Sequence, residues 1–490
     1  MLFNSIEFAV FLFVVFIIYW SVADKNLKLQ NGFLLLASYF FYGWWDWRFL
    51  FLLISLSLCN YIIGLQVGKN KSAGRKTVWF ALGLTINIGV LGVFKYYNFF
   101  IDSFIDLVSL LGYDLSRSTT KIVLPLGISF YVFLSLSYII DIFKNNLNPN
   151  RNLIEVLLTL GFFPIILAGP IHRPAALLPQ IGRKRIFDDK QAVDGLRQIL
   201  WGLFVKIAVA DNLAPETDKI FLNISDYSGS TLLLGSIFYT FQIYADFSGY
   251  SHIAIGTGRL FGFSLMNNFN YPYFSRDISE FWKRWHISLT TWFRDYLFLP
   301  VSFALSAKIN RERVTFIKTD MFIYIVASFI TWFLTGLWHG ANYTFIVWGL
   351  INGFFLIIFQ WQKKPRKRYF KLFGINYNSK PLKLAEGLMT FLLVVLTWVI
   401  FRSDTIRSSI EYFRSMLSSS LFSVPQVFPK TAVIILLAFI LTEYIQRNKR
   451  HALQIEGVEY RALRWVIYSG IVLVILLFGG GSQNFIYFQF

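Results

Sequence analysis

The chain has 490 residues, of which 56% are hydrophobic and only 15% charged; its mean hydropathy is +0.54 and its formal net charge is +19. A soluble domain carries about 25% charged residues, so this chain has too little polar surface to coat the roughly three globules its length would suggest. Disorder, a coiled coil and a disulfide scaffold are excluded too, the last because Cys59 is the single cysteine.

Continuous long apolar runs, rather than alternation over about ten residues, point to an all-α polytopic membrane protein and not a barrel. The 54 Phe, 25 Tyr and 15 Trp suit a chain with many lipid and interface contacts. In chain order, apolar segments fall at 3–21, 31–45, 49–67, 78–98, 122–142, 153–168, 196–213, 231–250, 252–265, 321–338, 343–361, 384–401, 430–446 and 465–480. The first lacks a basic flank and a small-residue cleavage site, so it reads as a retained span. Several runs are shorter than the ~20 residues a perpendicular crossing needs, which gives about 11–13 transmembrane helices plus re-entrant and interfacial ones. Gly161, Pro164, Gly169 and Pro170 mark 161–170 as a re-entrant candidate beside a cavity. The whole of 1–490 reads as one multi-pass domain.

Lys and Arg gather in short loops, as the positive-inside rule requires of an inner membrane, and no nucleic-acid motif accompanies them. Clusters at Lys69–Lys76, Arg183–Arg185, Lys363–Lys371 and Arg447–Arg464 are assigned to the cytoplasm. This puts Asp102–Lys121 and Asp404–Pro429 outside. The closing Gln483–Phe490 is aromatic-rich and is expected to be packed.

Ionisable residues within apolar sequence are the functional candidates, because their desolvation must be offset. Asp246 lies in Tyr244–Ser251, followed by His252; His172 follows Gly169-Pro170-Ile171; His451 sits in a basic loop and is expected to be solvated. In Phe281–Arg294, helical spacing places Trp282, Trp285, Leu289, Trp292 and Phe293 on one stripe, with His286 at its edge and Lys283, Thr291 and Arg294 opposite. An interfacial amphipathic helix is expected there. His339 is the sharpest signal. It stands between two apolar runs in Thr335-Gly336-Leu337-Trp338-His339-Gly340-Ala341-Asn342, where Gly336 and Gly340 permit close backbone or substrate approach. Thiol catalysis, a phosphate loop and the usual metal spacings find no support, since two histidines 53 positions apart lack a third ligand. No metal or bound cofactor is expected.

Glu280–Pro300 and Trp338-His339-Gly340-Ala341 together resemble the membrane-bound O-acyltransferase superfamily. The resemblance extends to Leu124–Phe130, Ala168–Ile171 and Tyr244–Tyr250, giving a recognisable core at about 120–360. The tail Phe485–Phe490 is similar to that of the bacterial alginate O-acetyltransferase branch, while His252 departs from the Asp often found after the Ser-Gly-Tyr-Ser stretch. The resemblance implies a helical bundle around a central tunnel, with His339 catalytic and His286 a second active-site residue. It further implies an acetyl group passed from cytoplasmic acetyl-CoA to an extracytoplasmic polysaccharide, with a separate extracytoplasmic acetyltransferase as partner. Neutral imidazole suits removal of a hydroxyl proton. Asn342, Trp338 Nε1–H or His286 can serve an oxyanion, Lys283, Arg284 and Arg294 can hold phosphates, and Asp246 can support or position. A transporter or flippase, and a non-catalytic scaffold, are the alternative readings.

Overall fold

A computed structural model describes residues 1–21, 26–70, 72–113, 122–479, 481, 483, 485 and 486, and the described chain is helical apart from one short hairpin, Arg313–Val314 paired antiparallel with Ile317–Lys318. Six described helices are long and apolar enough to cross a membrane on their own: Trp47–Lys69, Ala73–Leu110, Thr319–His339, Tyr343–Leu372, Lys380–Arg402 and Arg461–Phe478. Shorter apolar helices cover Ile6–Ser21, Ile128–Phe143 and Leu153–Ile166. The all-α multi-pass architecture is therefore as the composition requires. Exposed apolar side chains, such as Val466, Leu476 and Leu477 on the helix Arg461–Phe478, are lipid-compatible surface. Trp44, Trp45 and Trp47 flank the Asp46–Arg48 ion pair as interface residues do.

The chain divides into two compact units, 1–199 with 250–266 and 200–249 with 267–490. At the centre of the first is Ile128–Phe143, in which every residue except Ile140 and Phe143 is buried. It packs on Gly64 and Gly83 of the two neighbouring helices through Tyr138 and Ile139. Those neighbours are joined by Asn60 and Asn87, which exchange side-chain hydrogen bonds of 2.8 and 3.3 Å and so satisfy each other in apolar surroundings. The 161–170 segment is broken at Phe162 and buried throughout, in keeping with its Gly and Pro content. Arg185, one of the basic cluster assigned to the cytoplasm, is buried. Its guanidinium donates to Tyr19 Oη (2.9 Å), Asn31 Oδ1 (2.7 Å) and the carbonyls of Ile181 and Arg183 (2.9 and 3.1 Å).

Three further elements differ from the sequence reading. Segments 231–250 and 252–265 are one helix, Gly229–Leu260, because the polar Ser248–His252 stretch is buried or half-buried against protein and does not break it. The basic run Lys363–Lys371 is not a loop but the last turns of Tyr343–Leu372. Phe281–Arg294 is not one interfacial helix. Ile278–Arg284 and Ile287–Phe293 are separated by Trp285, which is extended, and His286, which is left-handed at φ +43°. The expected stripe is nevertheless all buried: Trp282, Trp285, Leu289, Trp292 and Phe293 face protein. Within the tail 483–490, Phe485 and Ile486 are buried, and 484 and 487–490 lie outside the described residues. His451 is buried rather than solvated.

Candidate active site

Asp277 accepts the Glu280 amide (2.8 Å) and starts the first short helix of the site. That helix ends at Arg284, and the left-handed His286 then turns the chain into Ile287–Phe293. A non-glycine residue with positive φ costs of order 1 kcal/mol and persists only where its surroundings impose it. Here they do: the Ile287 amide donates to Asn268 O (2.8 Å) and the Asn270 amide to Arg284 O (2.9 Å), clamping 268–270 alongside the turn. The His286 ring lies edge-on to Phe247 (4.5 Å) and near Phe269 (6.4 Å) and Trp338 (6.0 Å). Burial against these rings pushes its imidazole down to about 3, so it is neutral at ordinary pH.

His339 is the last residue of Thr319–His339, buried beside the rings of Trp338 (4.9 Å), Trp348 (5.0 Å) and Phe401 (5.3 Å). Trp348 is delivered by the next helix, Tyr343–Leu372, at a very close crossing. A Cβ on Gly336 would stand 2.3 Å from Phe345 O, and one on Gly349 2.3 Å from Trp332 O. The close approach anticipated at Gly336 and Gly340 is thus to protein: Gly340 faces the Phe345 ring. His286 and His339 line the same cavity of about 370 Å³, together with Lys283, Arg294, Tyr324 and Thr335. That is room for the reacting end of a substrate in the usual range for small-molecule sites. A second cavity of about 340 Å³ shares Ser279 and Lys283 with the first and is lined by Lys363, Arg366 and Lys367.

Of the residues singled out by sequence, Lys283, His286, Arg294 and His339 come together on the cavity wall, and Trp338 packs against both imidazoles. Three lie off it. Asn342 caps Tyr343–Leu372, accepting the Thr344 amide (3.0 Å) and donating to Asp404 O (2.8 Å), so its amide is committed to structure. Arg284 pairs with Glu280 at 2.6 Å. Asp246 accepts from Lys206 (2.6 Å) and from the Ile486 amide (2.7 Å), one residue from the Phe247 ring that touches His286. Lys206 also bonds Asp211 (2.7 Å) and Gln483 O (3.1 Å). Asn268 and Tyr324 were not singled out by sequence, and Lys363 and Lys367 only as part of a cytoplasmic basic cluster; for Asn268 the polar run Asn267-Asn268-Phe269-Asn270 just before the motif was the available signal.

The buried Lys206 ion cluster makes a stability prediction. Lys206→Met strands two carboxylates, and breaking a buried ion pair costs about 3–5 kcal/mol. Thermal unfolding in detergent should show this loss, and the combined Lys206→Met, Asp211→Leu, Asp246→Leu protein should recover part of it. A Lys206→Met protein as stable as the parent would show that the cluster does not bear on stability.

Residues 146–377, which contain both histidines and the walls of both cavities, match the profile MBOAT, membrane-bound O-acyltransferase family. Over its full length the chain is 34% identical to all of a Pseudomonas putida protein named "Probable alginate O-acetylase AlgI". The chain belongs to the membrane-bound O-acyltransferase family. A Pseudomonas aeruginosa protein of the same name is 37% identical over 85% of this chain and 75% of its own length. A Helicobacter pylori peptidoglycan O-acetyltransferase is 31% identical over 80% of the chain and 74% of its own length. Within the family the chain falls in the alginate O-acetylase-like branch; it is a multi-pass membrane acyltransferase. Neither a transporter nor a bare scaffold fits that membership.

Proposed function

We propose that this O-acyltransferase takes acetyl from cytoplasmic acetyl-CoA and delivers it through the bacterial inner membrane toward an extracytoplasmic polysaccharide, with a separate extracytoplasmic acetyltransferase completing the transfer. The observation that carries this reading is the meeting of His286 and His339 on one half-open, aromatic-walled cavity that adjoins a lysine-lined one. A hydroxyl oxygen attacks the thioester carbonyl carbon while the His339 imidazole takes the hydroxyl proton. The tetrahedral oxyanion collapses, the C–S bond breaks, and the proton passes from His339 to the departing thiolate. No metal or further reagent is consumed. General-base catalysis of this kind contributes roughly 10²–10⁴-fold. The deciding experiment supplies acetyl-CoA labelled in the acetyl group to the purified protein in vesicles. Label should move to a hydroxyl acceptor or, without acceptor, be released by slow hydrolysis; label that stays on the thioester under both conditions defeats the reading.

The donor's phosphates are assigned to the second cavity, where Lys283, Lys363, Arg366 and Lys367 outnumber the carboxylates Asp277 and Glu280. Lys363 and Lys367 are one turn apart on the projecting end of Tyr343–Leu372, Lys283 lies opposite, and Arg366 is held in place by Glu386, which also pairs with Arg276 at 2.5 Å. Arg284, which the sequence also offered for this role, pairs with Glu280 at 2.6 Å. Lys363→Gln combined with Lys367→Gln should raise KM for acetyl-CoA about tenfold, since two charge-assisted contacts to phosphate are worth well over 1 kcal/mol. On S-acetylpantetheine, which has no phosphate, the same protein should match the parent. Equal KM values on acetyl-CoA would remove these lysines from the donor site.

A further inference from the structure

We propose that Asn268 is a positioning residue that holds the His286 ring in its Nδ1–H tautomer, so that Nε2 carries the ring's lone pair rather than an N–H. The consequence for the reaction rests on the acyl-transfer reading above; the tautomer rests on the hydrogen-bond geometry of a buried, neutral ring. Asn268 is buried, and one atom of its side-chain amide receives three neighbours: His286 Nδ1 at 3.0 Å, Ser288 Oγ at 2.8 Å and the Ser288 backbone N at 3.3 Å. A hydroxyl can donate or accept, and an imidazole nitrogen can do either, but a backbone N–H only donates. The amide atom facing Ser288 N is therefore the oxygen, which fixes the Asn268 amide orientation. The Ser288 hydroxyl, 3.4 Å from His286 Nδ1, is spent on the Asn268 oxygen at 2.8 Å; an amide oxygen accepts only, so His286 Nδ1 carries the hydrogen that bridges the 3.0 Å gap. A neutral imidazole has one N–H, and Nε2 is left as the acceptor.

The frame that presents this amide is rigid. Backbone bonds from Ile287 N to Asn268 O and from Asn270 N to Arg284 O hold the two strands of chain together, and the left-handed turn at His286 brings its ring back onto Asn268. Phe247, Phe269 and Trp338 enclose the ring. An aspartate at 268 would accept the same Nδ1–H, but its charge would favour imidazolium, which has no lone pair. Asparagine supplies the orientation without the charge. The consequence for the reaction is specific. Neutral His286 in this tautomer has no Nε2–H to donate to a developing oxyanion. The other titratable groups lining the cavity are Lys283, Arg294, Tyr324 and His339.

The chain has five histidines, few enough for a nitrogen-15 spectrum of histidine-labelled protein, with His286 assigned by its loss in a His286→Gln protein. The expected result is a protonated Nδ1 and an unprotonated Nε2, unchanged well below neutral pH. A protonated Nε2 overturns the proposal. Two variants test the consequence. Asn268→Ala should lower acetyl transfer by about 10–100-fold, the scale seen when the partner orienting a ligating histidine is lost. Asn268→Asp should recover most of that loss at alkaline pH and show a new acidic limb, the rate falling as His286 gains its proton. An Asn268→Asp protein with the parent's pH profile overturns the proposal. If the parent moves no acetyl at all, the donor reading fails instead, while the nitrogen spectrum still decides the tautomer.

Discussion

His339→Ala is expected to lower acetyl transfer at least ~10²-fold while leaving a folded, inserted protein. The imidazole sits at the end of its helix against the Trp338, Trp348 and Phe401 rings, and alanine leaves a small void without stranding a charge. Thermal stability in detergent should therefore change far less than activity. His286→Ala should impair transfer as well, and donor binding should weaken with it, because His286 and Lys283 share the wall that leads to the second cavity. Transfer and donor affinity measured on both proteins separate the roles. Near-normal transfer by His339→Ala would remove it as the base, and a dead His286→Ala with unchanged donor affinity would move His286 into the chemical step alone.

The second large effect is on folding. Gly336→Val is expected to destabilise the protein by about 3 kcal/mol or more, because its side chain must enter space held by the Phe345 carbonyl. Side chains at the ends of a rotamer can move, but a backbone oxygen within a helix cannot yield without the helix. Forcing Thr319–His339 and Tyr343–Leu372 apart also displaces Trp348 from His339, so any folded residue of this protein should be poorly active. Gly470→Val is the control, since a Cβ there meets nothing within 4 Å. Thermal unfolding of the two in detergent gives the comparison, and equal midpoints would mean that the close crossing is not a constraint.

Composition and apolar run length made the helical membrane fold legible, because long stretches without charge have few other homes. His339 was legible for a related reason: an imidazole between two apolar runs needs a task or a partner. The break at Trp285 and His286 was not. The apolar stripe through Trp282, Trp285, Leu289 and Trp292 keeps helical period across it, and nothing in that pattern registers one left-handed residue imposed by tertiary hydrogen bonds. Asn268 was hidden for the same cause, since its contact with His286 spans 18 positions and exists only once that turn is made. The Ser248–His252 stretch misled in the opposite direction. Polar residues were read as a gap between spans, whereas inside a large membrane protein they line protein and not lipid. Lys363–Lys371 was read as loop because hydropathy measures lipid affinity, while helix continuation past the bilayer depends only on propensity.

Arg185 carries a lesson about when a charge acts. In the orientation proposed above, the Arg183–Arg185 cluster is one of those that retain their loop in the cytoplasm while the chain is being inserted. In the finished protein, however, Arg185 is withdrawn from headgroups and solvent alike, its charge shared among Tyr19, Asn31 and backbone carbonyls, with the Phe263 ring 5.1 Å from its guanidinium carbon. Among the described residues no carboxylate pairs with it. In that orientation the same cation would serve twice, first as an address for insertion and later as the tie that draws Ile6–Ser21 and Leu27–Gly43 onto the 181–185 turn. A lysine would carry the address equally well, but a single ammonium could not reach all of these acceptors at once.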